Sequence, residues 1–347
     1  MRSLVLKWAA LGGLTAVILL TAQISAVGGP AGLLQVGETS ALRPLVEAEL
    51  GQVPVAPGPG HDGQIYYAMG LDLDGDEVAP LLDHGAYRYR RILFPLLASG
   101  FGLFDGPVLL WGMIVAVVAS TAVASAALAV AGRRLGLSEW VALSVVLNPG
   151  VWLSVRLLTA DVLAIALMSS GLYLYAQRPT TASSAFALSG LAKDVFVVTP
   201  VALALTARRR WRSLVLTPVA LLGAWSLWLS LTLGDGFTPR QNLTWPLNGI
   251  RNAWANWVVL GGEEWFYLAF ALASVVMGLV AGLRGGWLRW PLLAWSALAM
   301  ISSNWIWDFG NNAARAFAPL LPLVALARGQ VGAGTGSPTV DAAADTS

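Results

Sequence analysis

Residues 108–131 read VLLWGMIVAVVASTAVASAALAVA and contain no ionisable side chain. A helix of about 20 apolar residues is long enough to cross the hydrocarbon core of a bilayer, so this stretch predicts a membrane span. Working outward from it, we find about ten apolar stretches, most of them near 20 residues, with the acidic residues concentrated in the gaps. The sequence therefore predicts an all-α polytopic membrane protein.

The composition agrees with this prediction and narrows the function. Hydrophobic residues make up 56% of the chain and charged residues 12%, about half the charged share of a soluble domain. The net charge is only +2, and the basic residues form short clusters that mark topology, so no nucleic-acid partner is expected. Cysteine is absent, which excludes disulfides and thiolate chemistry. The length allows roughly eight to eleven spanning helices and one large external loop, with no second soluble domain.

Basic residues predict the orientation of the first segments. Arg2 and Lys7 precede an apolar run at residues 8–27, which we interpret as an uncleaved first helix with its N-terminus in the cytoplasm. A cleaved signal peptide is the alternative. Residues 28–91 are polar and rich in Pro and Gly, and form the predicted external loop. Residues 92–104 are too short to span and predict an interfacial helix.

The later apolar runs follow the same logic. They lie at residues 140–157, 162–176, 214–233, 266–283, 287–303 and 313–327. Residues 182–206 are predicted as two short helices meeting at Lys193-Asp194, because a single span would carry the basic cluster at 208–212 to the outside. Residues 1–328 then form one membrane domain, and residues 329–347 a disordered cytoplasmic tail.

The external loop carries the first candidate site, HDGQIYY at residues 61–67. Gly63 allows a sharp turn that would aim the Asp62 carboxylate away from the loop. The rings of Tyr66 and Tyr67 are suited to stacking on a sugar or to lying at the headgroups. An ordinary Asp-Gly turn is the structural alternative.

The second candidate is YRYRR at residues 87–91. The guanidiniums of Arg88, Arg90 and Arg91 are suited to bidentate binding of a lipid-linked phosphate. Snorkelling anchors are the alternative. Arginines on the outer side run against the positive-inside trend, which favours a functional role.

Two more candidates lie near later apolar runs. Lys193 and Asp194 are ionisable residues inside an apolar stretch, so they must pair, face a cavity or bind something. Arg156 and Asp161 flank the neighbouring turn and are expected to join them, with a purely structural salt bridge as the alternative.

Asp308 and Arg315 bracket two asparagines at the mouth of the last apolar run. Seven positions on one helix place two residues on the same face, which predicts a coupled site. Helix capping by Asn311 or Asn312 is the alternative.

Other motifs are weak or missing. DLDGDE at residues 72–77 resembles a calcium loop but lacks its ligand order, which leaves weak binding of a divalent cation as an alternative. His61-Asp62 and Asp83-His84 match no short zinc spacing. The sequence has no Gly-Lys-Thr phosphate loop and no Gly-x-Ser-x-Gly elbow, which disfavours an ATP-driven pump and a serine hydrolase.

Taken in order, these features resemble the GT-C class of membrane glycosyltransferases. The resemblance rests on HDGQIYY at 61–67, YRYRRILFPLL at 87–97, Asp161 and LAKD at 191–194. These strings are similar to a bacterial branch linked to cell-surface glycopolymer formation, and the resemblance covers roughly residues 1–210. We expect no C-terminal soluble domain, and in this the chain would depart from the larger members of the class.

The resemblance implies a GT-C-like bundle in the plasma membrane whose site faces the outside. The implied reaction moves a sugar from a polyprenyl-phosphate donor to a glycan or glycolipid acceptor with inversion. Asp62 would be the general base, and Arg88, Arg90, Arg91 and Lys193 would hold the donor phosphate, so no metal is chemically required. The rivals are a transporter or flippase for a lipid-linked saccharide, which usually shows repeats or broken helices, and a non-catalytic subunit of a polymer-assembly complex.

Overall fold

The computed structural model describes residues 1–175, 177–206, 211–234 and 242–327. Over these residues the regular secondary structure is helical apart from two short parallel strands, β1 (Val36–Gly37) and β2 (Val55–Ala56). The prediction of an all-α protein is therefore confirmed. The predicted disordered tail at 329–347, and the arginines at 208–210, lie outside the described residues.

The described residues contain 18 α-helices and four short 3-10 helices. The α-helices are α1 (Arg2–Ala26), α2 (Arg43–Leu50), α3 (Asp62–Leu71), α4 (Gly85–Tyr89), α5 (Leu93–Ala98), α6 (Gly106–Arg134), α7 (Leu143–Val146), α8 (Pro149–Arg156), α9 (Asp161–Leu174), α10 (Pro179–Ala192), α11 (Val198–Ala204), α12 (Trp211–Thr232), α13 (Asn248–Trp257), α14 (Gly262–Leu283), α15 (Arg289–Ile301), α16 (Asn304–Trp307), α17 (Gly310–Phe317) and α18 (Leu320–Ala327). The 3-10 helices are Pro30–Leu34, Ala79–Leu81, Glu139–Ala142 and Asp194–Val197.

In this part of the chain, four helices are long and apolar enough to cross a membrane, namely α1, α6, α12 and α14. Two other predicted spans are divided. The run at 140–157 breaks before Pro149 and the run at 313–327 breaks at Pro319. A proline lacks the N–H that a continuous helix needs and disfavours helical geometry in the residue before it. The apolar runs are therefore helical, but some of them consist of short helices in succession and not of one continuous helix.

Helices α1 and α6 pack antiparallel and define two ends of the bundle. Lys7 near the start of α1 forms an ion pair of 2.7 Å with Glu139, just after α6 ends. Arg156 at the end of α8 donates a hydrogen bond of 2.8 Å to Gln23 near the end of α1. We call the end that holds Arg156 and Gln23 the upper end, and the opposite one the lower end.

The predicted external loop packs on the upper end through short helices. Asp62 and Gly63 are the first residues of α3, so they form no sharp turn. Gly63 is instead needed for close packing, because a Cβ there would lie 2.7 Å from the carbonyl oxygen of Leu157. Gln64 ties the loop together by donating to the carbonyl oxygen of Pro59 at 2.7 Å and accepting from the amide of Gly37 at 3.3 Å. The start of α3 is thereby fixed against the bundle.

The segment predicted as an interfacial helix at 92–104 is helical only as α5, Leu93–Ala98. Most of α5 is buried, and it packs against α3 and α6. The following loop exposes 69% of Phe101 and 83% of Leu103. The exposed part of this segment is therefore a non-helical apolar loop, and α5 is a largely buried helix that directly follows the arginine cluster.

The predicted break at Lys193-Asp194 is confirmed. Helix α10 ends at Ala192, Lys193 is extended, and a 3-10 helix begins at Asp194. The Ser189 hydroxyl near the end of α10 donates to the carbonyl oxygen of Ala164 near the start of α9 at 2.8 Å. This antiparallel packing carries Lys193 to the upper end, beside the first residue of α9.

Candidate functional site

Six charged side chains form an unbroken chain of ion pairs at the upper end. In order, this ion-pair chain consists of Lys193, Asp161, Arg315, Asp62, Arg88 and Asp83. Cations and anions alternate along it, so every charge has an opposite neighbour. Its members come from α3, α4, α9 and α17 and from the residues just before α4 and just after α10.

Asp161 is the most deeply buried member of the ion-pair chain, with 1% of its surface exposed. It is the first residue of α9, where the helix dipole favours a negative charge. One carboxylate oxygen accepts from Lys193 Nζ. The other accepts from the Thr159 hydroxyl at 2.7 Å and from Nε of Arg315 at 3.3 Å. A buried charge is stable only when paired and hydrogen-bonded, and these partners meet that requirement.

Asp62 is held by two arginines. Its Oδ1 accepts from Arg88 Nη1 at 3.1 Å, and its Oδ2 accepts from Arg315 Nη2 at 2.7 Å. Burial alone raises the pKa of Asp62, but the charges of Arg315 and Arg88 outweigh it and hold the pKa well below its usual value. The carboxylate is therefore ionised, and in this arrangement it is a weak proton acceptor.

Each of these arginines is also held by a second carboxylate. Arg88 donates from Nε and Nη2 to both oxygens of Asp83, at 2.9 Å each. Arg315 reaches Asp161 from Nη2 at 3.2 Å. The forks of both guanidiniums are thus positioned by carboxylates other than Asp62.

Arg91 forms a separate branch next to the ion-pair chain. Its Nε donates to Asp194 at 3.4 Å, and its guanidinium lies 4.9 Å from the centre of the Tyr87 ring. The Tyr87 hydroxyl accepts from Arg91 and from the side-chain amide of Asn242 at 2.8 Å. Arg90 is buried and lies on the same ring at 5.8 Å. The predicted arginine cluster is therefore engaged in three ion pairs, two of Arg88 and one of Arg91, and in contacts with the Tyr87 ring.

Exposure of the acidic members of the ion-pair chain rises from Asp161 to Asp83. The exposed fraction of the side chain is 2% for Asp161, 8% for Arg315, 24% for Asp62 and 55% for Asp83. The chain of charges thus runs from the interior to the surface, with Asp62 at the transition.

The structure brings together seven of the predicted site residues, namely Asp62, Arg88, Arg91, Asp161, Lys193, Asp194 and Arg315. Lys193 and Asp194 are adjacent but do not pair with each other. Lys193 pairs with Asp161, and Asp194 pairs with Arg91. Both residues are paired, which was one of the expected outcomes, but the extended backbone at Lys193 sends them to different partners.

Arg156 does not join this cluster. It donates to Gln23 at 2.8 Å, to Glu263 at 3.0 Å and to the Tyr267 hydroxyl at 3.1 Å. These contacts tie α8 to α1 and α14. Arg156 is therefore a structural link among three helices at the upper end.

The predicted coupling of Asp308 with Arg315 is wrong. Asp308 follows α16, whereas Arg315 belongs to α17, so the two share no helix face. Asp308 accepts from Asn256 at 2.8 Å and from Asn304 at 2.9 Å. Asn capping is not seen either, since the amide of Asn311 donates to Glu264 of α14 at 3.0 Å.

The tyrosines of HDGQIYY are not open stacking platforms. Tyr66 is 4% exposed and packs edge-on against Phe94 at 5.4 Å, and Tyr67 is fully buried. Burial, followed by the charges of Arg91 and Asp62 acting in opposite directions, leaves the pKa of Tyr66 raised. Tyr66 is therefore an uncharged side chain that lines the site.

The DLDGDE stretch has a backbone role. The Asp72 carboxylate accepts from the amides of Gly75, Glu77 and Val78 at 3.1, 2.9 and 2.8 Å. Among the residues described, no three His, Asp or Glu side chains converge in a way that could hold a metal ion.

His61 is half-buried, and burial followed by the charge of Arg315 lowers its pKa, so it is neutral at pH 7.

Sequence reasoning missed three contributors. Asp83 was considered only for zinc, although it lies five residues before Arg88 and pairs with it. Thr159 and Asn242 gave no signal, since a hydroxyl two residues before Asp161 and an amide in a distant loop are ordinary features.

Comparison of the chain with protein-family models, curated proteins and solved structures finds no match. The class of protein is therefore defined by fold and site alone. It is an all-α protein with helices long and apolar enough for a membrane, and with a partly exposed carboxylate set between arginines at one end.

Proposed function

We propose that the chain is a GT-C-type membrane glycosyltransferase that moves a sugar from a polyprenyl-phosphate donor to a cell-envelope glycan or glycolipid. The observation that carries this proposal is the meeting of Asp62 with Arg88 and Arg315 at the partly exposed part of the ion-pair chain. A carboxylate that can take a proton lies within hydrogen-bonding distance of guanidiniums that can bind phosphate. Transfer from a phosphate-linked sugar needs both kinds of group.

In the proposed step, the acceptor hydroxyl oxygen attacks the anomeric carbon of the donor. The bond between that carbon and the phosphate oxygen breaks, and its electron pair stays on the phosphate. Asp62 takes the hydroxyl proton. The phosphate gains one negative charge, which Arg88, Arg91, Arg315 and Lys193 would stabilise. These cations supply the electrostatic stabilisation, so the proposal requires no metal.

A transporter or flippase for a lipid-linked saccharide is the second candidate, favoured by the broken helices. The breaks before Pro149 and at Pro319 face each other, because Asn148 Nδ2 donates to the carbonyl oxygen of Ala318 at 2.9 Å. Its other contacts are to Ser144, Gly150 and Val151. Every hydrogen-bonding group of the Asn148 amide is thus used inside the protein, and this side chain has none left to offer a substrate. This supports the enzyme over the transporter.

The experiment that tests the proposed function is transfer of label by the purified protein in lipid. Polyprenyl-phosphate sugars are supplied as donors, with an envelope glycan or glycolipid as acceptor. Labelled product is expected, and its formation should depend on Asp62. Passage of the donor across the bilayer without labelled product would favour the flippase.

Arg88→Ala and Arg91→Ala are expected to weaken donor binding at least tenfold. Each variant removes charge-assisted hydrogen bonds worth about 1.5–3 kcal/mol. Titration of polyprenyl-phosphate sugar into the protein in nanodiscs measures the affinity. Arg156→Ala is the matched control. Arg156 lies at the same end of the bundle, but its partners are not members of the ion-pair chain. Equal affinity in all three variants and the native protein would remove the phosphate-binding role.

We propose that the upper end faces the outside of the plasma membrane, in line with the basic residues Arg133 and Arg134 at the lower end. Because the chain has no cysteine, single cysteines report their side cleanly. In intact cells an impermeant thiol reagent should label Glu77→Cys and spare Gln177→Cys, both of which replace exposed residues. The reverse pattern would invert the proposed orientation.

A further inference from the structure

We propose that Asp62 and the donor phosphate compete for the same two guanidiniums, those of Arg88 and Arg315. Donor binding would then release the carboxylate to act as the base. This inference rests on the proposed function, since it describes how the charged groups of the same site rearrange when a donor binds.

The first support is geometric. The two oxygens of Asp62 each face one arginine, at 3.1 Å and 2.7 Å. A phosphate presents two oxygens in a similar way, and an arginine fork binds either group. Arg88 and Arg315 are also held by Asp83 and Asp161. Both guanidiniums therefore keep their positions when the Asp62 carboxylate is replaced.

The second support is the balance of charge. A phosphodiester linking a lipid to a sugar carries one negative charge, as an ionised carboxylate does. Exchange of one for the other leaves the alternation of cations and anions in the ion-pair chain intact. A buried site tolerates such an exchange better than it tolerates an added charge.

The third support is exposure, which makes Asp62, and not Asp161, the replaceable carboxylate partner of Arg315. Its side chain is 24% exposed, whereas that of Asp161 is 2% exposed and also accepts from Thr159 and Lys193. Asp62 can turn toward solvent without stranding a buried charge, whereas Asp161 cannot.

Competition gives the reaction an order. While Asp62 is paired with Arg88 and Arg315, it can take a proton only if these ion pairs break. In that state Asp62 does not activate the acceptor hydroxyl. Once a phosphate occupies the guanidiniums, the same carboxylate regains basicity next to the phosphate-linked sugar. Asp62 therefore becomes an effective base only when a donor is bound.

The test measures phosphate affinity with the purified protein in nanodiscs, using inorganic phosphate and, separately, polyprenyl phosphate. Asp62→Asn should bind phosphate at least about tenfold more tightly than the native protein, because the competing charged partner is gone. Asp62→Ser is a second neutral variant, and thermal melting checks that each is folded. Asp308→Asn is the matched control, since that carboxylate lies at the same end and its contacts are with asparagines.

Tighter binding of either probe by the folded Asp62 variants, with Asp308→Asn unchanged, supports the inference. Tightening for polyprenyl phosphate alone assigns the site to a lipid headgroup, and tightening for inorganic phosphate alone assigns it to free phosphate. Unchanged or weaker binding of both probes by Asp62→Asn and Asp62→Ser overturns the inference. If the Asp62 variants bind phosphate more tightly but the native protein transfers no sugar, only the proposed function is contradicted. If the native protein transfers sugar but the Asp62 variants bind phosphate with native affinity, only this inference is contradicted.

Discussion

Asp62→Asn is expected to reduce sugar transfer by about 10²–10⁴-fold, the usual cost of losing a general base. Asparagine keeps the size of the side chain and can still accept hydrogen bonds from Arg88 and Arg315, but it takes no proton. Protein yield and melting temperature should therefore stay near those of the native protein. The measurement is the initial rate of label transfer in lipid, with a donor concentration that saturates both proteins.

Asp308→Asn is the companion variant for this experiment and should transfer sugar at the native rate. Asp62→Glu keeps the charge but moves the carboxylate by one methylene, so it should retain more activity than Asp62→Asn. Near-native transfer by Asp62→Asn would exclude Asp62 as the base. Attention would then move to His61, which is half-buried beside Asp62 and neutral at pH 7.

Asp161→Asn is expected to destabilise the protein by roughly 3–5 kcal/mol, because removing one partner of a buried pair leaves a charge uncompensated. Lys193 loses its carboxylate in this variant, and Arg315 keeps only Asp62. The double variant Asp161→Asn/Lys193→Met should recover much of the loss, since the unpaired ammonium is gone. Thermal melting in detergent provides the comparison.

The control for this rescue is Lys193→Met/Asp194→Asn. These neighbours pair with different residues, so the double variant should be at least as unstable as the sum of the single ones. If Asp161→Asn and Lys193→Met were additive, the pair would contribute no coupling. Rescue in the adjacent pair instead would restore the interpretation that the sequence suggested.

The sequence predicted the elements better than their continuity. Apolar runs and basic clusters located the helices and the break at Lys193-Asp194, because each depends on local composition. The break before Pro149 also had a local signal, since Asn148 caps α8 and Pro149 occupies its first position. Length alone concealed it, because the run at 140–157 is long enough to be taken for one span.

The partners of the charged residues were only partly predicted. Lys193 lies inside an apolar run and needed a partner, and Asp161 was among the residues expected to join it, as the structure shows. Which residues pair depends on helix packing over long distances, and a single sequence carries no record of that. Asp308 and Arg315 were joined by spacing alone, and a helix boundary between them removed the basis for it.

The order in which the ion-pair chain is synthesised bears on how the protein is made. Arg88 follows Asp62 by 26 residues and Lys193 follows Asp161 by 32, but Arg315 follows Asp62 by 253. The first two pairs can form while the chain is still leaving the ribosome, which limits the cost of bringing their charges to the membrane. Arg315 arrives with α17, long after the other members, and joins the two pairs into one chain. A nascent chain that stops before α17 would hold both pairs without the residue that connects them.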